Sequence, residues 1–218
     1  NYFEFRGDGT ERQTHKVTLL GRHFWRYGRS YSPRRDHWLF YVQMMNPLGV
    51  FRREWLEKNG IRHNTTPGAS YQDMGFWFQT LCFAESVVFL RKAYYHYTQD
   101  NPSSSMNNLD RAFVVQREFD FMRQFLAKHP AIREWVAPIF YHRMFCSYLF
   151  RYENIADSLK RMFLAEVVRV DMKEALAGKI KNIRLGGGVA KSPMWCQMFA
   201  DVFQKPVEVT EVQEMGCL

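Results

Sequence analysis

A turn that has to end where a helix begins is the strongest constraint in this chain. In Thr66 to Thr80, TPGASYQDMGFWFQT, the Pro67-Gly68 pair interrupts any regular element, Ser70 can cap a helix, and Asp73 precedes the aromatic run Phe76, Trp77, Phe78. The pattern predicts a helix with a carboxylate at its mouth and aromatic rings along its body. Two roles fit Asp73. Ser70-x-x-Asp73 has the spacing of a capping box, in which the acid satisfies amides left unpaired at a helix start. A carboxylate in that place can also act as general base, accepting the proton of a hydroxyl as its oxygen forms a new bond.

The chain has 218 residues, 46% hydrophobic and 17% aromatic, enough for a packed core in one large or two small domains. This composition excludes a disordered tail. Cys82, Cys146, Cys196 and Cys217 lie far apart, without the paired spacing of a zinc or redox site, which predicts reduced thiols in a cytoplasmic chain. The longest uncharged run, Trp38 to Phe51, falls short of the roughly 20 apolar residues of a membrane span, so neither a membrane span nor a signal peptide is expected. A formal charge of +8 predicts an anionic partner. Much of that charge falls early, where Lys16, Arg22, Arg26, Arg29, Arg34 and Arg35 alternate with Phe24, Trp25, Tyr27 and Tyr31. Such a mixture can stack on bases and meet phosphates, but no nucleic-acid module accompanies it, so nucleic acid is not the expected partner.

In chain order, Asn1 to Phe5 alternates as a strand already in progress, which predicts that the chain is cut from a longer one. Lys16 to Leu20 reads as a second short strand. Trp38 to Met45 is an apolar run too short for periodicity to assign as helix or strand, and Val50 to Asn59 reads as a helix stopped by Gly60. The central helix continues to Glu85 through Trp77, Leu81 and Ala84, and Val87 to Leu90 and Tyr94 to Tyr97 follow as strands. Gln99 to Asn108 is a polar loop. From Leu109 the chain turns helical, with a stripe of Val115, Phe119, Met122 and Leu126, a second helical region over 131–152 broken near Pro138, and a third over 157–177. Glu118-Phe119-Asp120 falls inside the first of these helices and reads as a solvated face.

From FRREWLEKNGIRHNTTPGASYQDMGFWF to AYYHYTQDNPSSSMNN, the sequence resembles the acceptor-side half of a bacterial family 2 glycosyltransferase of GT-A type, from the subgroup that builds surface polysaccharides. The resemblance implies inverting transfer of a sugar from a nucleotide sugar to a saccharide or lipid-linked acceptor. Asp73 then matches the general base, although Gln72 stands where the family commonly has Glu. Arg52 and Arg53 fall where an acceptor phosphate would be met, and a solvated helix pair fits them equally. His96 and the hydroxyls of Ser103 and Ser104 fall near the family's donor diphosphate, with a packed strand histidine and a plain connecting loop as alternatives. A divalent metal, Mg or Mn, is expected for the complete enzyme, but its Asp-x-Asp ligands have no counterpart here. The donor half is likewise missing, which implies little activity for this chain alone. The helices after Leu109 have faces basic and aromatic enough to lie on a membrane surface or on another subunit, with ordinary packing onto the body as the alternative, so a cytoplasmic chain peripheral to the inner face of an anionic membrane is one expectation.

A different signal begins near Ile180. IKNIRLGGGVAKSPMWCQMFADVFQKPVEVTEVQEMGCL reads as a strand, three glycines, a helix opened by Ser192 and Pro193, and a strand from Pro206 to Val212. This run resembles the C-terminal ATP-binding domain of FGGY carbohydrate kinases, especially xylulokinase-like members. The resemblance makes Gly186, Gly187 and Gly188 the turn that lets the backbone approach nucleotide phosphates, and ATP the implied nucleotide. The kinases' sugar-binding domain and its catalytic base have no counterpart here.

The expected fold is therefore α/β with α+β character. An incomplete GT-A-like body over 1–108 is followed by a helical region over 109–178 and a small βαβ appendage over 179–218. A junction near residue 178 then joins parts of two sugar enzymes. Three functions follow from these readings: a glycosyltransferase fragment, an ATP-dependent sugar kinase remnant, or a basic non-enzymatic surface for membrane or nucleic acid.

Overall fold

A computed structural model describes residues 1–6, 13–21, 23–42, 45–66, 71–98, 113–167, 183–185, 193, 196–197, 200 and 206–209. The fold is α/β. Its chain divides into two compact units, residues 1–156 and 157–218.

In the first unit, β1 (Tyr2–Arg6) is the middle strand of a three-stranded sheet. It pairs antiparallel with β2 (Gln13–Val17) and parallel with β5 (Tyr95–Thr98), in register Tyr2 to Tyr95 and Phe3 to His96. Parallel neighbours need a crossover, so everything between β2 and β5 works as one long connection. Within it, β3 (Ser30–Tyr31) and β4 (Val87–Val88) form a two-stranded ribbon, and α1 (Arg53–Lys58) and α2 (Gln72–Phe83) supply the helices. After β5 come α3 (Val114–Lys128) and α4 (Pro130–Glu153).

The helices meet through aromatic edges. Phe78 of α2 lies 5.9 Å from Phe40, 5.8 Å from Phe140 of α4 and 6.2 Å from Phe125 of α3. Phe119 of α3 adds contacts of 5.8 Å to Phe140 and 5.4 Å to Tyr148. Phe40, Phe119 and Phe140 are almost fully buried. Four of these five pairs are edge-to-face and Phe78–Phe140 is tilted at 59°; an edge-to-face pair adds about 0.5–1.5 kcal/mol beyond the area it buries. The α3 stripe expected from the sequence, Val115, Phe119, Met122 and Leu126, is buried as a set.

Several expectations change. In the described part of the apolar run from Trp38 the chain forms neither an α-helix nor a strand but a 3-10 turn, His37–Tyr41, which buries Leu39 and Phe40 before the chain extends at Val42. α4 is unbroken at Pro138. That proline sits on the exposed face, where water can satisfy the carbonyl it leaves unpaired. Glu118 does not lie on a solvated face but is fully buried. Part of the early basic charge is used internally, because Arg26 stacks over Trp38 at 4.2 Å and Arg34 over Trp135 at 5.6 Å.

In the second unit, α5 (Asp157–Val167) is followed by β6 (Ile183–Leu185) and β7 (Val207–Val209), which pair in parallel and are tied by Arg184 to Glu208 at 3.1 Å. Residues 193, 196, 197 and 200, between these strands, are helical. Among the described residues, no helix is long and apolar enough to cross a membrane.

Removing the ring of Phe140 should open a cavity at the centre of the three-helix contact. Phe140→Ala is expected to lower the unfolding free energy by about 3–5 kcal/mol, read from urea denaturation followed by near-UV circular dichroism.

Candidate functional site

The mouth of α2 is built by a strap and a neighbouring helix. The extended segment 61–66 runs along α2 and is fastened at each step. Gln79 donates to the Arg62 carbonyl at 2.8 Å, His63 stacks on Phe76 at 4.2 Å, and Gln72 Nε2 reaches the Thr66 carbonyl at 3.2 Å. Asn64 Nδ2 donates to Glu118 Oε1 at 2.8 Å, which ties the strap to α3 as well. The helix opens from Tyr71, whose φ of 60° is the only positive value among the described non-glycine residues. Ser70, the expected cap, lies outside the described residues together with Pro67 and Gly68.

Asp73 stands in the first turn of α2, half-buried. Burial raises its pKa, while hydrogen bonds from the amides of Met74 and Asp73 itself, and the nearby His63, pull the other way. The carboxyl is thus engaged with its own helix start, as a capping acid is. Glu118 is the stronger anomaly. Its Oε2 is buried without a hydrogen-bond partner, beside the Gly75 backbone, and burial pushes its pKa up to about 7. Asn64 and the Gly75 amide oppose that rise, and the Asp73 charge adds to it. Gly75 is glycine for this reason, since an added Cβ would stand 2.9 Å from Glu118 Oε2 and 2.8 Å from the Phe121 ring.

Two cavities open in this unit. The smaller, about 250 Å³, is lined by Tyr41, Tyr71, Met74, Val115 and one face of α4: Arg143, Cys146, Ser147, Phe150 and Arg151. The larger, about 930 Å³, is mainly apolar and is walled by Phe51, Trp55, Trp77 and Leu81, with Arg52 at its edge. Asp73 lines neither. Arg53 is exposed and paired with Glu57 at 2.8 Å, one turn along α1. His96 is exposed on β5 and packs on Phe3 at 5.1 Å; strand alternation turns it away from its neighbour Tyr95, which lines the larger cavity. The structure therefore does not bring Asp73, Arg52, Arg53 and His96 into one cavity. Ser103 and Ser104 lie outside the described residues, as do Gly186, Gly187 and Gly188.

What the second unit does fix is the framework around the glycines. The run follows directly on the carboxyl end of β6, and β7 returns parallel to it, as a strand–turn–helix–strand unit requires. In parallel sheets, ligands bind outside the carboxyl ends of strands. Among the described residues, no three His, Cys, Asp or Glu side chains converge to hold a metal.

Sequence reasoning missed Glu118 and the two arginines of the smaller cavity. Arg143, Ser147 and Arg151 recur every four residues, a spacing that puts them on one helix face. Nothing in the sequence says that this face looks into a cavity.

Comparison with known proteins bears on the C-terminal signal. The family model described as the C-terminal domain of the FGGY family of carbohydrate kinases matches residues 97–218, more than half of the chain, and the chain belongs to this family. Relatives include a gluconokinase of Bacillus licheniformis, 36% identical over 66 residues, which are 30% of this chain and 12% of the relative. A gluconokinase of Bacillus subtilis (strain 168) is 35% identical over 66 residues, with the same coverage. The aligned stretch thus covers about one eighth of each relative's length. No solved structure matches. These findings support the carbohydrate-kinase resemblance and lend no support to the glycosyltransferase resemblance. The match begins at residue 97, so it takes in α3, α4 and α5 as well as the glycine run.

Because the pKa of Glu118 rises from 4.5 to about 7 on folding, the native state holds a proton that the unfolded chain releases. Stability should therefore be highest near pH 4.5 as far as this group is concerned and fall as pH rises to about 7, by roughly 2–4 kcal/mol in all. Urea midpoints measured between pH 4.5 and 8 check this, and Glu118→Gln is expected to flatten the slope.

Proposed function

We propose that this chain is the ATP-side part of an FGGY-type carbohydrate kinase, an enzyme that transfers the terminal phosphoryl group of ATP to a hydroxyl of a sugar or sugar acid. The observation that carries the reading is the family match over residues 97–218. The two gluconokinases among its relatives favour gluconate as the acceptor class. Within the chain, Gly186, Gly187 and Gly188 would hold the nucleotide. With no Cβ in the way, their amides can close on phosphate oxygens at the end of β6, and the helical segment from Pro193 would present its amino end to the same charge. ATP supplies the transferable phosphoryl group, and the chain's own contribution is positioning and charge stabilisation. The parallel pairing of β6 with β7 supports this arrangement.

A second reading applies to the segment before the family match. There Asp73 in the first turn of α2 supports a glycosyltransferase base, acting on a saccharide or lipid-linked acceptor with a nucleotide sugar as donor. Its engagement with the helix-start amides favours a capping role instead.

Isothermal titration of the full chain separates the two. ATP is expected to bind, and Gly187→Val is expected to weaken it by at least about tenfold. Binding of uridine or guanosine diphosphate sugars with no response to ATP would overturn the kinase reading. Sugar transfer lost in Asp73→Asn would establish the second reading, and transfer unchanged in that variant would remove it.

A further inference from the structure

The smaller cavity carries an unbalanced positive charge. Arg151 is 7% exposed, its Nε has no hydrogen-bond partner, and its guanidinium lies 5.0 Å over the Tyr71 ring. Arg143, on the same face of α4, donates to the Phe40 carbonyl and lines the cavity. An arginine does not shed its proton under such conditions, and burying an unpaired charge is costly. Among the described residues, no carboxylate forms an ion pair with either. The acids of the neighbouring helices face elsewhere: Asp73 the amides at its own helix start, Glu118 the Asn64 amide, and Asp120 the guanidinium of Arg123.

The remaining lining suits a charged guest. Ser147 stands one turn from Arg143 and one from Arg151, and Tyr41 and Tyr71 add phenolic groups. Burial raises the pKa of Tyr41, so its hydroxyl stays a donor at neutral pH. The cavity also touches the first turns of α2 and α3, at Met74 and Val115, where the positive ends of two helix dipoles lie. Met74, Val115 and Phe150 form an apolar wall, and about 250 Å³ is more than a bare oxyanion fills.

We infer that this cavity, built on Arg143, Ser147 and Arg151, binds a phosphate monoester of a small organic molecule such as a sugar. Two fixed cations balance a phosphate that carries about two negative charges at neutral pH, and a tetrahedral oxyanion can take donors from several directions at once. A carboxylate, with a single negative charge, would leave one of the two positive charges uncompensated. The organic body would lie against Met74, Val115 and Phe150. The site sits within residues 41–151 and does not rest on the ATP-side assignment of the glycine run.

Calorimetric titration of the full chain with glucose 6-phosphate, inorganic phosphate and free glucose tests the inference. Glucose 6-phosphate is expected to bind more tightly than inorganic phosphate, and free glucose not at all. Arg143→Gln and Arg151→Gln should each weaken binding by about tenfold or more, and Ser147→Ala less. Should Arg151→Gln fail to fold, the other two variants and the unaltered chain decide the matter. In the unaltered chain, the thiol of Cys146, exposed on the same lining, gives a second readout. Glucose 6-phosphate should slow its alkylation by iodoacetamide, followed by peptide mass spectrometry. Absence of any phosphate binding, undiminished binding in a folded Arg143→Gln variant, or unchanged Cys146 alkylation at saturating ligand would each overturn it.

Discussion

One ring decides whether three helices of the first unit have a common core. Phe78 projects from α2 and meets Phe40, Phe125 and Phe140, which belong to a 3-10 turn, α3 and α4. Because interiors are close-packed, each of these rings fixes the angle at which the next can approach. The strap over 61–66, the first turn of α2 and the arginine face of α4 take their places from that contact. Their chemistry is set by packing before any polar group acts.

Against that apolar centre, the unit contains two buried charges of opposite kind that never meet. Glu118 is held between α3 and the strap with one oxygen unmatched, and burial keeps it partly protonated near neutrality. Arg151 is held on α4 and cannot escape its charge in the same way. A carboxyl group answers desolvation by taking a proton, whereas a guanidinium must find an anion or retain contact with a cavity. That asymmetry explains why the acid is tolerated in a closed place and the arginines border an open one.

The glycosyltransferase and kinase resemblances divide along the same line as the observations. The acceptor-side resemblance rests on Asp73 and flanking residues that the structure spreads over α1, the mouth of α2 and β5, without a shared cavity. The kinase resemblance rests on a local run, strand, glycines, helix and strand, and a parallel β6–β7 pair agrees with it. A local motif survives as a readable signal because neighbours in sequence are also neighbours in space.

The sequence by itself determined the local elements: the helix after Thr66, the α3 stripe from Val115 to Leu126, and the strands at Tyr2, Tyr95, Ile183 and Val207. Each follows from short-range periodicity or from a residue's own backbone preference. It also marked Asp73 as a helix-start acid. Only the tertiary structure decided that Glu118 is buried rather than solvated, that Pro138 leaves α4 intact, and that Arg143 and Arg151 border a cavity. Those outcomes depend on which face another segment covers, and that covering comes from residues as far away as Phe40 and Asn64, whose approach no local pattern records.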